Sequence, residues 1–289
     1  MKSSLIGKET AYVLVKRLFG FVYSDELYAF GTRVFHFFYG IYALFKYGDP
    51  DFFWSIAIET STYCNRNCYY CPNSVNPLPR EWMPEELFQR IIGNLRDIGY
   101  SGSVSYQTYG EPLLDERLVD LVRYSRQNLP RGVFLKVLSN GDFLTMELFE
   151  SLIEAGMNEI HVTLHDMDPS AAMKRLQPLI DRHPSHIRAN PIHGSRYLTN
   201  RGGAIELDVP SRIRRCFYLG TAVINRKGDM LLCCNDYFQT HVFGNVMNKS
   251  IEEIWKGTEF KRVRRQAWKG RPVLEICRRC LSVDDGFQT

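Results

Sequence analysis

Between Trp54 and Asn190 the chain alternates short apolar runs with amphipathic stretches, and this rhythm constrains its fold more than any other feature. Residues 55–60 (SIAIET) predict a first strand. Residues 84–98 set Leu87, Ile91, Leu95 and Ile98 at helical spacing, and Gly99 ends that helix. Further strands are predicted at 103–108, 134–138, 160–164 and 187–189, with helices at 117–127, 145–155 and 170–181 between them. Repeated β–α units of this length imply a parallel sheet. Four or five units are too few to close an eightfold barrel. The fold class expected is therefore α/β, a partial (β/α) barrel of about five or six parallel strands.

On either side the pattern changes. Residues 1–50 are rich in aromatics and predict a pair of helices packed on the outside of the main domain. The uncharged run 34–45 is too short to span a bilayer, which takes about 20 residues. Residues 27–46 could instead lie along a membrane surface. Beyond Asn190 the stretch 191–215 is loop-rich and contains Gly202-Gly203. A hairpin is expected over 221–232, turning near Lys227-Gly228, and then a helix from Ser250, whose capping box is completed by Glu253. Three units follow: an extension at 1–50, the partial barrel at 51–205 and a small module at 206–289.

Eight cysteines fall in two groups, at 64, 68 and 71 and at 216, 233, 234, 277 and 280. The start, MKSSLIGKET, has no secretory pattern, so a cytoplasmic setting is expected, where clustered thiols are metal ligands rather than disulfides. Cys64, Cys68 and Cys71 form a C-x3-C-x2-C run directly after the first strand. Three thiolates suit three irons of a cubane and leave the fourth iron open to a cofactor or substrate. A structural zinc site fits poorly, because it wants four protein ligands. In the tail, Cys216, Cys233, Cys277 and Cys280 could complete either a closed cubane or a zinc tetrahedron. Cys233 and Cys234 compete for one place there, and the Gly228-x4-Cys233 spacing favours Cys233.

The cysteine run placed after the first strand of a β/α domain resembles the radical S-adenosylmethionine (SAM) superfamily. That resemblance implies a [4Fe–4S] cluster whose open iron is chelated by SAM, and a 5′-deoxyadenosyl radical that abstracts hydrogen. Tyr70 matches the family's aromatic position near the adenine. Tyr109-Gly110-Glu111-Pro112 looks like its Gly-Gly-Glu-Pro motif, with Tyr109 in place of glycine, and Glu111 would receive the SAM amino group. Ser139 and Asn140 after the third strand, and Thr163 and His165 at the end of the fourth, match positions that contact SAM. Arg188, in the fifth strand, is expected to face the same cavity or solvent. Asn200-Arg201-Gly202-Gly203, Gly228-x4-Cys233 and the tail cysteines resemble the SPASM/twitch extension, which implies a second [4Fe–4S] cluster.

Three functions follow. The first is hydrogen abstraction from a small natural-product substrate, sugar- or aminocyclitol-like, for dehydrogenation or epimerisation. Cys234 is then either a buried bystander or the hydrogen-atom donor. The second is maturation of a ribosomally made peptide, although residues 1–50 are too short for the usual leader-binding domain. The third is a cysteine–metal binding module without radical chemistry, in which the basic residues Lys261, Arg262, Arg264 and Arg265 would contact RNA phosphate; a solvated basic face is the commoner reason for such a run. The radical reading requires an electron donor such as flavodoxin or ferredoxin, and predicts no nucleic-acid partner.

Overall fold

Each predicted strand of the β–α series forms, and each of the first four is followed by the helix its apolar spacing implied. The structure is a computed structural model that describes residues 25–192, 198–206, 216 and 218–281. Strands β1 (Ser55–Ile58), β2 (Ser103–Tyr106), β3 (Phe134–Ser139), β4 (Glu159–Leu164) and β5 (Ile187–Pro191) pair in parallel. Helices α2 (Glu85–Asp97), α3 (Leu118–Asn128), α4 (Met146–Glu154) and α5 (Ser170–Arg182) connect them. Thr145 caps α4, its side chain accepting from the Leu148 amide.

One face of the sheet packs on these helices. Ile56, Ile58, Val104, Tyr106, Leu135, Val137, Ile160 and Val162 join Leu87, Ile91, Leu95, Leu121, Phe149 and Leu152 in a single buried core. Side chains alternate along a strand, so Lys136, Glu159, His161, Thr163, Arg188 and Asn190 line the opposite, concave face. Ala57, Val223 and Leu231 make a separate small cluster, with Cys234 against them.

The tail does more than follow the barrel. Its hairpin, β6 (Thr221–Ile224) and β7 (Asp229–Leu231), enters the same sheet, because β6 pairs in parallel with β1 from Ser55↔Thr221 to Ile58↔Ile224. A third strand, β8 (Val242–Asn245), completes the order β5-β4-β3-β2-β1-β6-β7-β8. Six strands are thus parallel, and the residues beyond 205 continue the sheet. Close contact makes this possible: a Cβ on Gly220 would fall within 1.7 Å of the Trp54 ring. Gly228 turns the hairpin at φ +86°. Helices α6 (Ile251–Lys256), α7 (Thr258–Trp268) and α8 (Glu275–Leu281) close the chain, and Ser250 and Glu253 make the expected capping box.

Of the N-terminal unit, for which a pair of helices was expected over 1–50, residues 1–24 lie outside the described residues, and 25–50 contain one long helix, α1 (Asp25–Tyr47). Ala43 and Tyr47 are buried, Tyr39 Oη donates to the Phe53 carbonyl (2.9 Å), and Lys256 Nζ donates to the Tyr47 carbonyl (2.6 Å). Phe37, Phe38 and Phe45 remain exposed. No helix among the described residues is long and apolar enough to cross a membrane. The basic run in α7 is engaged with the protein: Lys261 and Arg265 bond Asp49 and Asp51, and Arg264 lies buried over Trp255 and Phe260 at 3.7 and 4.2 Å.

Candidate active site

The segments that follow β1, β2 and β3 meet at one carboxylate. Glu111 is buried and accepts three hydrogen bonds, from the Leu113 amide (3.0 Å), Ser139 Oγ (2.6 Å) and the Asn140 amide (2.7 Å). Its own amide donates to the Tyr63 carbonyl (2.7 Å), which lays the 109–112 segment along the approach to Cys64. Only glycine fits at 110, where a Cβ would stand 2.2 Å from the Ser61 carbonyl oxygen. Burial pushes the Glu111 carboxyl above the usual range, although the three donors oppose that rise. Among the described residues no lysine or arginine pairs with it. A buried carboxylate of this kind suits a ligand ammonium.

Cys64, Cys68 and Cys71 stand half-buried beside this hub, and none is in a disulfide. The Cys71 amide bonds back to the Cys68 carbonyl at 2.9 Å. Burial raises all three thiols, and the charges of Cys71 and Cys68 add to the cost of ionising Cys64. Bound iron would remove that penalty.

A clamp absent from the sequence reading holds the loop in place. Arg66, inside the C-x3-C segment, makes a bidentate pair with Asp142 (2.6 and 2.6 Å) and bonds Asp166 at 2.9 and 3.2 Å. Asn65 joins it, donating to Asp142 (2.7 Å) and accepting from Asn140 Nδ2 (2.8 Å). The signal was present: Asp142 and Asp166 each come directly after a predicted ligand segment, Ser139–Gly141 and His165. Glu59 and Arg226 were missed as well. They form a buried ion pair (3.5 Å) that fastens the hairpin to the end of β1, and Arg226 also bonds Glu81 at 2.5 Å.

Tyr70 is buried against Ile192 and Ile205, and its hydroxyl bonds His165 Nδ1, with the two rings stacked. Thr163 lies on the concave face, in register with Asn190. Tyr109 reaches the other way, donating to the Cys234 carbonyl (2.6 Å) and packing edge-on to Tyr237. Arg188 shares the concave face but is not brought to this rim. It stands second in β5, opposite His161 and partly exposed, with Nε on Glu159 at 2.6 Å.

The second cysteine group forms its own pocket. Cys216, Cys233, Cys277 and Cys280 line it with Leu219, Leu232, Ile276 and Leu281. Cys234, next in sequence, points away to the concave face beside Ala57 and Val223. Burial lifts Cys233 well above the ordinary thiol range and pushes Cys277 up to about 12. Among the described residues no three His, Cys, Asp or Glu groups gather tightly enough for a single metal ion. Three thiols in one set and four in the other are the donor numbers of an open and a closed four-iron cubane, and both sets fit such clusters.

Comparison with known proteins agrees with this division. The profile of the Radical SAM superfamily matches residues 58–190, and that of the SPASM iron–sulfur cluster-binding domain matches residues 216–281. The S-adenosyl-L-methionine-dependent 2-deoxy-scyllo-inosamine dehydrogenase of Niallia circulans is 29% identical over 239 residues, covering 79% of this chain and 92% of that protein. A PqqA peptide cyclase of Streptomyces rochei is 30% identical, but over 39% of this chain and 30% of its own length. The crystal structure of BtrN in complex with AdoMet and 2-DOIA superposes with a TM-score of 0.73 at 29% identity, covering 80% of this chain and 94% of that one. The anSMEcpe structure with bound AdoMet and Cp18Cys peptide shares the fold, with a TM-score of 0.53 at 14% identity over 78% of this chain and 87% of that one.

Proposed function

We propose, from the premise that this chain is a radical SAM oxidoreductase with a C-terminal SPASM-type iron–sulfur domain, that it oxidises a carbinol of a small aminocyclitol- or sugar-like molecule. The likeness to 2-deoxy-scyllo-inosamine dehydrogenase carries this reading, because it spans 79% of this chain and 92% of that protein. The peptide-cyclase likeness stops at 39% of this chain.

When bound, SAM and the open-iron cluster supply a hydrogen-abstracting 5′-deoxyadenosyl radical, and the auxiliary cluster supplies a one-electron sink. Cys64, Cys68 and Cys71 would hold the first cluster, and Cys216, Cys233, Cys277 and Cys280 the second. Glu111 receives the SAM ammonium, oriented by Ser139 and Asn140. Gly110 lets the backbone approach, Tyr70, Thr163 and His165 border the same space, and Tyr109 turns instead to the Cys234 carbonyl and Tyr237. Arg188, tied to Glu159, belongs to the lining of the concave face. On these roles residues 51–205 form the catalytic unit, 206–289 the auxiliary unit and 1–50 an extension. A flavodoxin or ferredoxin donates the electron that starts each turnover.

The test is a panel of carbinol-deuterated aminocyclitols and sugars given to anaerobically reconstituted protein. Deuterium should appear in 5′-deoxyadenosine with a keto product. Label transfer from a ribosomal peptide alone would overturn the reading. The position of Cys234 on the concave face favours one variant, epimerisation. It would appear as solvent deuterium in the substrate without a keto product.

A further inference from the structure

Residues 200–203 run between the two candidate cluster sites. Their turn is clasped to α8: Asn200 Nδ2 donates to the Arg279 carbonyl (3.1 Å), Gly202 packs on Ile276 and Gly203 on the Arg279 side chain. Within the turn Arg201 holds φ +52°, in the left-handed region that non-glycine residues rarely occupy. Residues held in that region cluster at functional positions. Arg201 Nη1 donates to Asn235 Oδ1 at 3.2 Å, and Asn235, buried, donates through Nδ2 to Cys280 Sγ at 3.3 Å.

We propose that Asn235 and Arg201 are positioning residues that raise the reduction potential of the auxiliary cluster through the Cys280 sulfur. Reduction adds a negative charge to the cluster and its thiolates, so a hydrogen-bond donor or a nearby cation favours the reduced state. Asn235 supplies the donor. Arg201 fixes which end of the amide does so: with Oδ1 held by the guanidinium, Nδ2 is left to face the sulfur. A chain that uses this cluster to take an electron from substrate gains from a higher potential. The inference rests on the proposed function only in assigning Cys280 as a cluster ligand.

The experiment is a potentiometric titration followed by electron paramagnetic resonance. It uses the full chain with Cys64, Cys68 and Cys71 changed to Ala, so that the auxiliary cluster alone gives the signal. Asn235→Ala should keep about four irons and lower the equilibrium constant for reduction about tenfold, a fall of about 59 mV for one electron. Arg201→Gln should shift the midpoint the same way by less, and Arg201→Lys should recover part of it. If Asn235→Ala loses iron, Arg201→Gln decides, because it leaves the asparagine in place. Four irons with the parent's midpoint in Arg201→Gln and Asn235→Ala alike would overturn the proposal. The titration needs no substrate. Failure to oxidise any aminocyclitol would therefore sink the functional reading and leave this result standing.

Discussion

Arg66 illustrates how much one side chain contributes to a site otherwise made of cysteines. It sits within the cluster loop and spreads its guanidinium across Asp142 and Asp166, which lie just beyond two different strands. Bidentate guanidinium–carboxylate pairs are directional, so the loop is held relative to the barrel rather than merely attracted to it. A hydrogen bond to a charged group contributes roughly 1.5–3 kcal/mol. Arg66→Ala should therefore reduce SAM cleavage by about tenfold or more, while the auxiliary cluster keeps about four irons. Lysine at 66 should rescue poorly, since an ammonium cannot span both carboxylates. Single-turnover assays of 5′-deoxyadenosine alongside iron analysis would check this. Full cleavage activity in Arg66→Ala would mean that the clamp is ornamental.

At the scale of the element, α1 carries a half-buried imidazole. The His36 ring packs against Trp54 and Trp268 with centroids 4.6 and 3.8 Å away, and among the described residues Nε2 has no hydrogen-bond partner. Burial lowers its pKa to about 4, with Asp51 opposing. A depressed base favours the folded state when neutral. Its contribution is complete above the ordinary value near 6.5, declines as pH falls, and is lost below about 4. We expect thermal stability to drop between pH 6.5 and 4, by on the order of 2 kcal/mol at the lower end. His36→Phe should flatten that part of the profile. Melting curves of both proteins across this range would test it, and parallel profiles would exclude His36 as the cause.

For the whole molecule, the main consequence of the topology is that the two cysteine groups share one sheet. Parallel pairing of β6 with β1 sets the hairpin that carries Cys233 beside the strand that leads to Cys64. The fully reconstituted protein should contain about eight irons, and Cys64, Cys68 and Cys71 changed together to Ala should leave about four. Cys233→Ala should also lose about four, because that side chain lines the second pocket. Cys234→Ala should lose none, since Cys234 packs on Ala57 and Val223 instead. Iron loss from Cys234→Ala rather than Cys233→Ala would reverse the ligand assignment.

The β–α rhythm, the helix caps and the first cysteine run were legible in sequence because each is local. Periodicity chooses helix or strand, and a C-x3-C-x2-C loop carries its chemistry within eight residues. The succession of Glu111, Ser139 and Asn140 after successive strands could be read too, since parallel β–α units deliver their strand ends to one rim. Other features needed the tertiary structure. Which of two adjacent cysteines enters the second pocket depends on which face of the sheet each side chain meets, a question of packing that spacing leaves open. The Arg66 clamp, the Glu59–Arg226 pair and the path from Arg201 through Asn235 to Cys280 join residues 34 to 167 positions apart in the chain. Ion pairs and hydrogen bonds of that kind have no sequence period, and only the closure of the fold brings their partners within reach.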